Sequence, residues 1–424
     1  MMISNYKPIL KNKYFIYLWL SQILSQVTIN VMNFLLLIKL FERTGSSLAT
    51  SFLWVSYAIP AIAIGPFASA TVDILDRKKI LIITNLLQAV LIFSFALLHG
   101  GRLFLFYGVA ILYSFINQFY VPAESASLPG VVEKKNLVLA NSLFFITQQS
   151  SLVFGFGVAG FLNQYFGFTN SLIMCSALLF SAFISVIFLP NMPVLLQATK
   201  SFETKFMNFF GSIFDGLKFI KNNNKVLLPF LILMMIQTAL AIIIVNIPLL
   251  AKDIFHISIN LAGIYIVVPA GIGTITAALV IPNYLRGLWR KKALIEASFM
   301  GLAIIIFVII FIIPLITNVI RIPISLLLIF LSGFLFISVL IPAQTFLQEE
   351  TPGGLRGRVF GNFWFIETVI TIIPLVLSGA ISEILGIKSL FFVLGTLCLF
   401  AVYFSRKIGQ ELLNGKSLLR LFVV

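Results

Sequence analysis

Residues 77–82 read RKKILI and stand between two long apolar runs near the start of the chain. The stretch returns as RKKALI at residues 290–295, so five of six positions match at an offset of 213 residues. The dipeptide PA at residues 122–123 likewise returns at residues 342–343. Both offsets are close to half of the 424 residues. Recurrence at similar distances indicates an internal duplication, so the chain is predicted to consist of two similar halves.

The composition excludes most classes of soluble protein. Apolar and aromatic residues make up 60% of the chain and charged residues only 10%, whereas a soluble domain carries about 25% charge. A net charge of +15 would suit a nucleic-acid binder. In so apolar a chain, excess Lys and Arg instead indicates the cytoplasmic loops of a membrane protein. We therefore expect a lipid bilayer around the chain and no nucleic-acid partner.

Apolar segments long enough to cross a bilayer, about 20 residues each, occur twelve times. The predicted fold class is an all-α polytopic membrane protein with twelve transmembrane helices in two parallel six-helix repeats. The segments cover residues 14–40, 48–72, 79–98, 103–122, 137–163, 168–189, 226–251, 260–285, 293–315, 321–343, 358–383 and 387–405.

The predicted domains follow these segments. Residues 1–192 form an N-terminal six-helix bundle, and residues 226–408 form a C-terminal one. Apolar residues recur every three or four positions within the linker 193–225, which predicts an amphipathic helix on the membrane surface. Residues 409–424 are a tail.

Basic residues fix the predicted orientation. With both termini in the cytoplasm, 23 Lys and Arg residues fall inside and six outside. Because cytoplasmic loops are enriched in Lys and Arg, both termini of this multi-pass protein are expected to be cytoplasmic.

Three stretches carry a family resemblance. The sequence VDILDRKK at residues 72–79, shortly after Gly65-Pro66, resembles the signature loop between the second and third helices of the major facilitator superfamily. Its D-x-x-D-R-K form is similar to that of the branch containing macrolide-efflux proteins and enterobactin exporters. PAESASLP at residues 122–129 and RGRVF at residues 356–360 support the same branch.

The resemblance implies a secondary transporter rather than an enzyme. It implies alternating access and export of an amphipathic small molecule across a bacterial cytoplasmic (inner) membrane, with a macrolide-like drug as the first expectation. A siderophore exporter and a lysophospholipid transporter or flippase remain alternatives. No cofactor, catalytic residue or metal site is expected, the proton gradient is the expected energy source, and the transporter is expected to be a monomer.

The resemblance also implies a gating loop. In the family the first Asp of the loop acts as a latch against the N-terminal end of the eleventh helix, where a helix dipole favours a carboxylate. The residues assigned to this role are Asp73, Asp76, Arg77, Lys78 and Arg358.

An acidic residue within an apolar segment is expensive to place in lipid and is therefore a functional candidate. Glu367 lies about ten residues into the eleventh predicted segment, without a basic neighbour there. It is the candidate for proton coupling, and a buried, neutral, hydrogen-bonded Glu is the alternative. Glu296 lies one turn after Lys292 and is predicted to form a structural pair.

Uncharged polar residues within the segments are candidates for a central cavity. Together they predict a weakly polar cavity, although helix–helix hydrogen bonding is the alternative role for each alone. The candidates are Gln22, Gln26, Asn30, Asn33, Gln118, Gln148, Gln237, Asn246 and Asn362.

Overall fold

The computed structural model describes residues 8–72, 74–192, 211, 215–287 and 291–413, and every regular element in these ranges is helical. The long helices are α1 (Lys13–Thr44), α2 (Ser47–Val72), α3 (Arg77–Leu98), α4 (Leu103–Val131), α5 (Leu137–Ile187), α6 (Asn224–Val245), α7 (Val268–Gly287), α8 (Lys291–Phe311), α9 (Asn318–Glu350), α10 (Gly353–Ile384) and α11 (Ile387–Leu413). Short helical turns lie at Lys134–Asn136, Ile247–Leu250, Ala251–Phe255, Ile259–Leu261, Gly263–Val267 and Ile313–Leu315.

Eleven helical stretches of the described chain are long and apolar enough to cross a bilayer. One of them, Lys134–Ile187, has 54 residues and contains two predicted segments. The backbone breaks between these segments at Gly167, with φ 78° and ψ 165°, a conformation that glycine adopts without a Cβ penalty. The prediction of an all-helical membrane protein with twelve apolar segments is therefore confirmed.

Side chains in the flanking turns cap the first helix. The carboxamide oxygen of Asn12 accepts hydrogen bonds from the backbone N–H groups of Tyr14 (3.0 Å) and Phe15 (3.3 Å). At the other end Gly45 has φ 63° and donates its N–H to the carbonyl of Phe41 at 2.8 Å. These contacts satisfy end groups that the helix itself leaves unpaired.

Helix α4 is longer than predicted. The sequence placed its end at residue 122, but the helix continues through Pro122 to Val131. A proline removes only one N–H donor, and neighbouring side chains make such interruptions tolerable in membrane helices. The Ser127 hydroxyl donates to the carbonyl of Ala123 at 2.7 Å. The correction places Glu124 inside a helix rather than in a connecting loop.

The chain divides into two compact units. Unit 1 contains residues 1–45 and 52–209. In its helix α1 the consecutive residues Leu35, Leu36 and Leu37 are at most 1% exposed. The Trp19 indole N–H donates to the Thr147 hydroxyl at 2.8 Å and joins α1 to α5.

Unit 2 contains residues 46–51 and 210–424, so the first turn of α2 is grouped with the second half of the chain. Within this unit α7 and α9 approach closely at a pair of glycines. A Cβ atom at Gly273 would clash with the carbonyl oxygen of Phe330, and one at Gly333 would clash with that of Ala270. The two contacts are reciprocal, so close packing of these helices depends on both glycines.

Replacement of Gly333 by Ala should destabilise unit 2, because an added methyl group has to push two backbones apart. We expect a loss of about 1–3 kcal/mol, typical of overpacking, measured as a lower melting temperature of the detergent-solubilised protein. Gly108→Ala is the matched control, since a Cβ at Gly108 meets nothing within 4 Å. Equal melting temperatures for the two variants would contradict the close approach.

Candidate functional site

The predicted gating loop lies partly within the described structure. The Asp76 carboxylate accepts a hydrogen bond from the backbone N–H of Lys78 at 3.0 Å and caps α3. Arg77 donates from Nη1 to the carbonyl of Ala126 at 2.8 Å, which joins the start of α3 to the end of α4. Asp73 and the side chain of Arg358 lie outside the described residues. The latch stays a prediction.

The polar stripe on α1 forms hydrogen bonds inside unit 1. Gln22 is 4% exposed and donates to the carbonyl of Phe144 at 3.2 Å. Asn30 donates back to the carbonyl of Gln26 at 2.8 Å, and both residues are half-buried. Asn33 is half-buried, and its carboxamide oxygen has no partner among the described residues. Gln22 thus joins α1 to α5 through its nitrogen, and the assignment of these four residues to a substrate cavity stays a prediction.

The remaining cavity candidates differ in exposure. Gln118 is half-buried and donates to the carbonyl of Ser114, one turn earlier, at 3.2 Å. Gln148 is exposed, and Gln237 is half-buried. The side chain of Asn362 lies outside the described residues. The assignment of these side chains to a substrate cavity stays a prediction.

Asn246 joins two helices of unit 2. Its carboxamide nitrogen donates to the Ser378 hydroxyl at 3.2 Å, and its oxygen accepts from the Ser382 hydroxyl at 2.8 Å. The residue is fully buried and follows the last turn of α6, whereas both serines lie on α10. Both ends of this amide are thus engaged inside unit 2.

Glu367 is half-buried on α10. Its carboxylate accepts a hydrogen bond from the Thr371 hydroxyl at 3.3 Å. The Thr371 hydroxyl in turn lies 3.1 Å from the hydroxyl of Thr238 on α6. Among the described residues this carboxyl forms no ion pair. Its hydrogen-bond partner there is an uncharged hydroxyl.

The structural pair predicted at Glu296 is present. Its carboxylate lies 3.8 Å from the ammonium group of Lys292 and 3.2 Å from Nε of Arg406. The Ser405 hydroxyl donates to it at 2.8 Å. These contacts tie the start of α8 to α11 and give the carboxylate two cationic partners.

Sequence reasoning missed Glu124 because it placed this residue in a loop. The residue is 4% exposed on α4, and the Tyr120 hydroxyl donates to its carboxylate at 2.7 Å. The spacing of four residues between Tyr120 and Glu124 was the available signal, since such positions share one helix face. That signal has meaning only if the helix continues through Pro122.

Sequence reasoning also missed a contact of Glu383 in unit 2. Its carboxylate accepts from the Ser46 hydroxyl at 2.6 Å and from the backbone N–H of Leu48 at 3.4 Å. Carboxylates are favoured at helix N-termini, where backbone N–H groups are unpaired. The contact fixes the first turn of α2 against α10 within this unit, and Gly379 allows the close approach.

A family model described as Major Facilitator Superfamily matches residues 18–373, which is most of the chain. This chain belongs to the major facilitator superfamily. The match covers α1 through most of α10. The protein is therefore a multi-pass transporter rather than an enzyme, and the predicted fold class and family are confirmed.

Two curated relatives of the superfamily align over nearly the whole length. The chain is 25% identical over 397 residues to the uncharacterized MFS-type transporter YfiS of Bacillus subtilis, covering 89% of this chain and 87% of that protein. It is 23% identical over 402 residues to macrolide efflux protein A of Streptococcus pyogenes, covering 90% and 92%.

Solved transporter structures share the fold. The crystal structure of the nucleoside transporter NupG superposes with a TM-score of 0.73 at 16% identity, covering 95% of this chain and 100% of NupG. The POT family transporter PepTSo gives a TM-score of 0.70 at 11% identity, covering 96% and 99%. At such low identity the likeness bears on the fold alone.

Replacement of Asn246 by Ala should destabilise this superfamily member, because it removes two buried hydrogen bonds to α10 and leaves Ser378 and Ser382 only their bonds to carbonyls of their own helix. We expect a loss of about 1–3 kcal/mol, since each such hydrogen bond contributes about 0.5–1.5 kcal/mol, measured as a lower melting temperature. Asn141→Ala is the matched control, since Asn141 is exposed and bonds only to its own helix, at Leu137. A change no larger than the control's would contradict the joining role.

Proposed function

We propose that this major facilitator protein exports an amphipathic small molecule, a macrolide-like drug in the first place, by alternating access. The observation that carries the proposal is the alignment with macrolide efflux protein A over 90% of this chain and 92% of that protein. The proposed energy source is the proton gradient. The proposed location is a bacterial cytoplasmic membrane with both termini inside, supported by the uneven distribution of Lys and Arg.

The chemistry of the candidate cavity residues supports an uncharged or weakly polar substrate. All nine are amides, and none carries a charge. Binding pockets for amphipathic molecules are mostly apolar, with a few polar groups that fix orientation. Anionic solutes such as sugar phosphates usually require Arg or Lys within the membrane. The two alternative substrates, a siderophore and a lysophospholipid, are also amphipathic, so the same experiment should include them.

Ligand-induced thermal stabilisation of the purified full chain tests the substrate class. We expect a macrolide to raise the melting temperature in a dose-dependent manner, because a ligand at 100 times its Kd stabilises the folded state by about 2.7 kcal/mol. A catechol siderophore, a lysophospholipid and a nucleoside form the rest of the panel. Stabilisation by one of these, with none by the macrolide, would replace the macrolide proposal with that class. No stabilisation by any amphipathic member would contradict the proposal as a whole.

Glu367 is the proposed coupling residue in unit 2, because its half-buried carboxyl contacts only a neutral hydroxyl among the described residues. In Glu367→Gln we expect gradient-driven transport in proteoliposomes to fall at least about tenfold, a barrier increase of about 1.4 kcal/mol, while ligand stabilisation persists. Glu349→Gln is the control, since the Glu349 carboxylate is 56% exposed and pairs with Lys291. Undiminished gradient-driven transport in Glu367→Gln would remove the coupling role.

A further inference from the structure

Unit 1 contains a buried carboxyl group that the proposed transport cycle does not yet use. Glu124 is 4% exposed, and the Tyr120 hydroxyl donates to its Oε1 at 2.7 Å. Within the described ranges no Lys, Arg or His nitrogen lies within 4.0 Å of this carboxyl group. The guanidinium group of Arg77, at the start of α3, donates instead to the carbonyl of Ala126.

A chain of polar side chains leads away from Glu124 across three helices. The Tyr120 hydroxyl on α4 lies 3.5 Å from the Ser21 hydroxyl on α1. The carboxamide nitrogen of Asn85 on α3 donates to the same Ser21 oxygen at 3.1 Å. Tyr120 is 1% exposed, and Ser21 and Asn85 are fully buried. The path therefore runs through the interior of unit 1.

Asn85 and two residues close in sequence to members of this path carry further buried polar atoms with unused hydrogen-bonding capacity. Gln88 is fully buried one turn after Asn85 on the same face of α3, and neither its nitrogen nor its oxygen has a partner among the described residues. The carboxamide oxygens of Asn85 and Gln22 also have no such partner. Buried polar atoms are nearly always paired in proteins. Several unpaired polar atoms in one part of unit 1 indicate a region that binds water or a polar ligand.

The ligand that best fits the Glu124 carboxyl group and its polar neighbours is a proton. A carboxylate buried without a cation is unstable in a low-dielectric interior and becomes neutral by accepting a proton. The titratable group nearest to the Glu124 carboxyl is Tyr120 on the same helix, and Arg77 is a charged group at the start of α3. The residues of α1 on this side, Ser21 and Gln22, are uncharged. Hydroxyl and carboxamide groups both donate and accept hydrogen bonds, so with water they can carry a proton to and from the acid.

We propose that Glu124 is a proton-binding site in unit 1, and that Tyr120, Ser21, Asn85 and Gln88 form the polar path through which the proton exchanges. On uptake a proton forms an O–H bond with a carboxylate oxygen, and on release it passes back to the path. The proton-binding site itself does not depend on what is transported. Its use in coupling rests on the proposed function.

Infrared difference spectroscopy tests proton binding without any substrate. The purified full chain is titrated with acid and base, and the carboxylic C=O stretching band is followed. We expect one titrating component to disappear in Glu124→Gln, a variant that keeps an oxygen to accept from Tyr120. Glu133→Gln is the matched control in the same unit, because the Glu133 carboxylate is 69% exposed beside Lys135 and should leave this component unchanged.

Tyr120→Phe separates a proton site from a merely structural acid. Removal of the hydroxyl takes away the hydrogen bond to Glu124, so the C=O component should move to higher frequency while still titrating. If the component survives in Glu124→Gln, or is unaffected in Tyr120→Phe, the proposal is overturned.

Proteoliposome transport then tests coupling, with a ligand taken from the thermal panel. In Glu124→Gln we expect gradient-driven transport to fall at least about tenfold, while substrate exchange without a gradient is retained. Retained gradient-driven transport together with the infrared loss would overturn the coupling role and leave the proton site. Absence of transport by the unmodified chain would contradict the proposed function and leave the infrared result standing on its own.

Discussion

The requirement that every backbone N–H and C=O group be satisfied inside a bilayer governs this molecule. Lipid offers no hydrogen-bonding partner, so each apolar segment must form a helix that satisfies its own main chain. With 60% apolar and 10% charged residues, the chain has few polar or charged side chains that could form contacts between its helices. The regular structure is therefore entirely helical in the described ranges. The few polar side chains within the spans make the contacts between particular helices specific.

The two units use their buried polar groups differently. In unit 2, Asn246 has both ends of its carboxamide engaged by serines of α10, and the glycines of α7 and α9 bring two backbones together. In unit 1, the side chains around Glu124 include several atoms without a partner among the described residues. A fully satisfied network rigidifies its surroundings, whereas unpaired buried polar atoms typically bind water. This contrast leads us to place a proton site in unit 1.

Family membership and proposed function have different kinds of support. The superfamily follows from a family model that matches most of the chain, and the superposition on known transporters supports the fold. Those features are shared by transporters of different substrates, because a fold does not specify a function. The substrate class instead depends on side chains that line the transport path. Hydropathy and the family motifs constrain these side chains only weakly, so the macrolide proposal rests on one distant relative and on uncharged chemistry.

The sequence by itself determined that the chain is helical and how many apolar segments it has, because hydropathy and segment length are local properties that a bilayer converts directly into structure. It indicated the family through the motifs at residues 72–79, 122–129 and 356–360. It also identified Glu296 as paired, since Lys292 stands one turn earlier on the same helix. Only the tertiary structure decided the position of Glu124, because the continuation of α4 through Pro122 depends on surrounding helices rather than on local propensity. The same holds for the Gly273–Gly333 approach and for the contact of Ser46 with Glu383, which lie 60 and 337 positions apart. Contacts at such separations depend on which helix faces meet, and an apolar sequence pattern in lipid does not specify those faces.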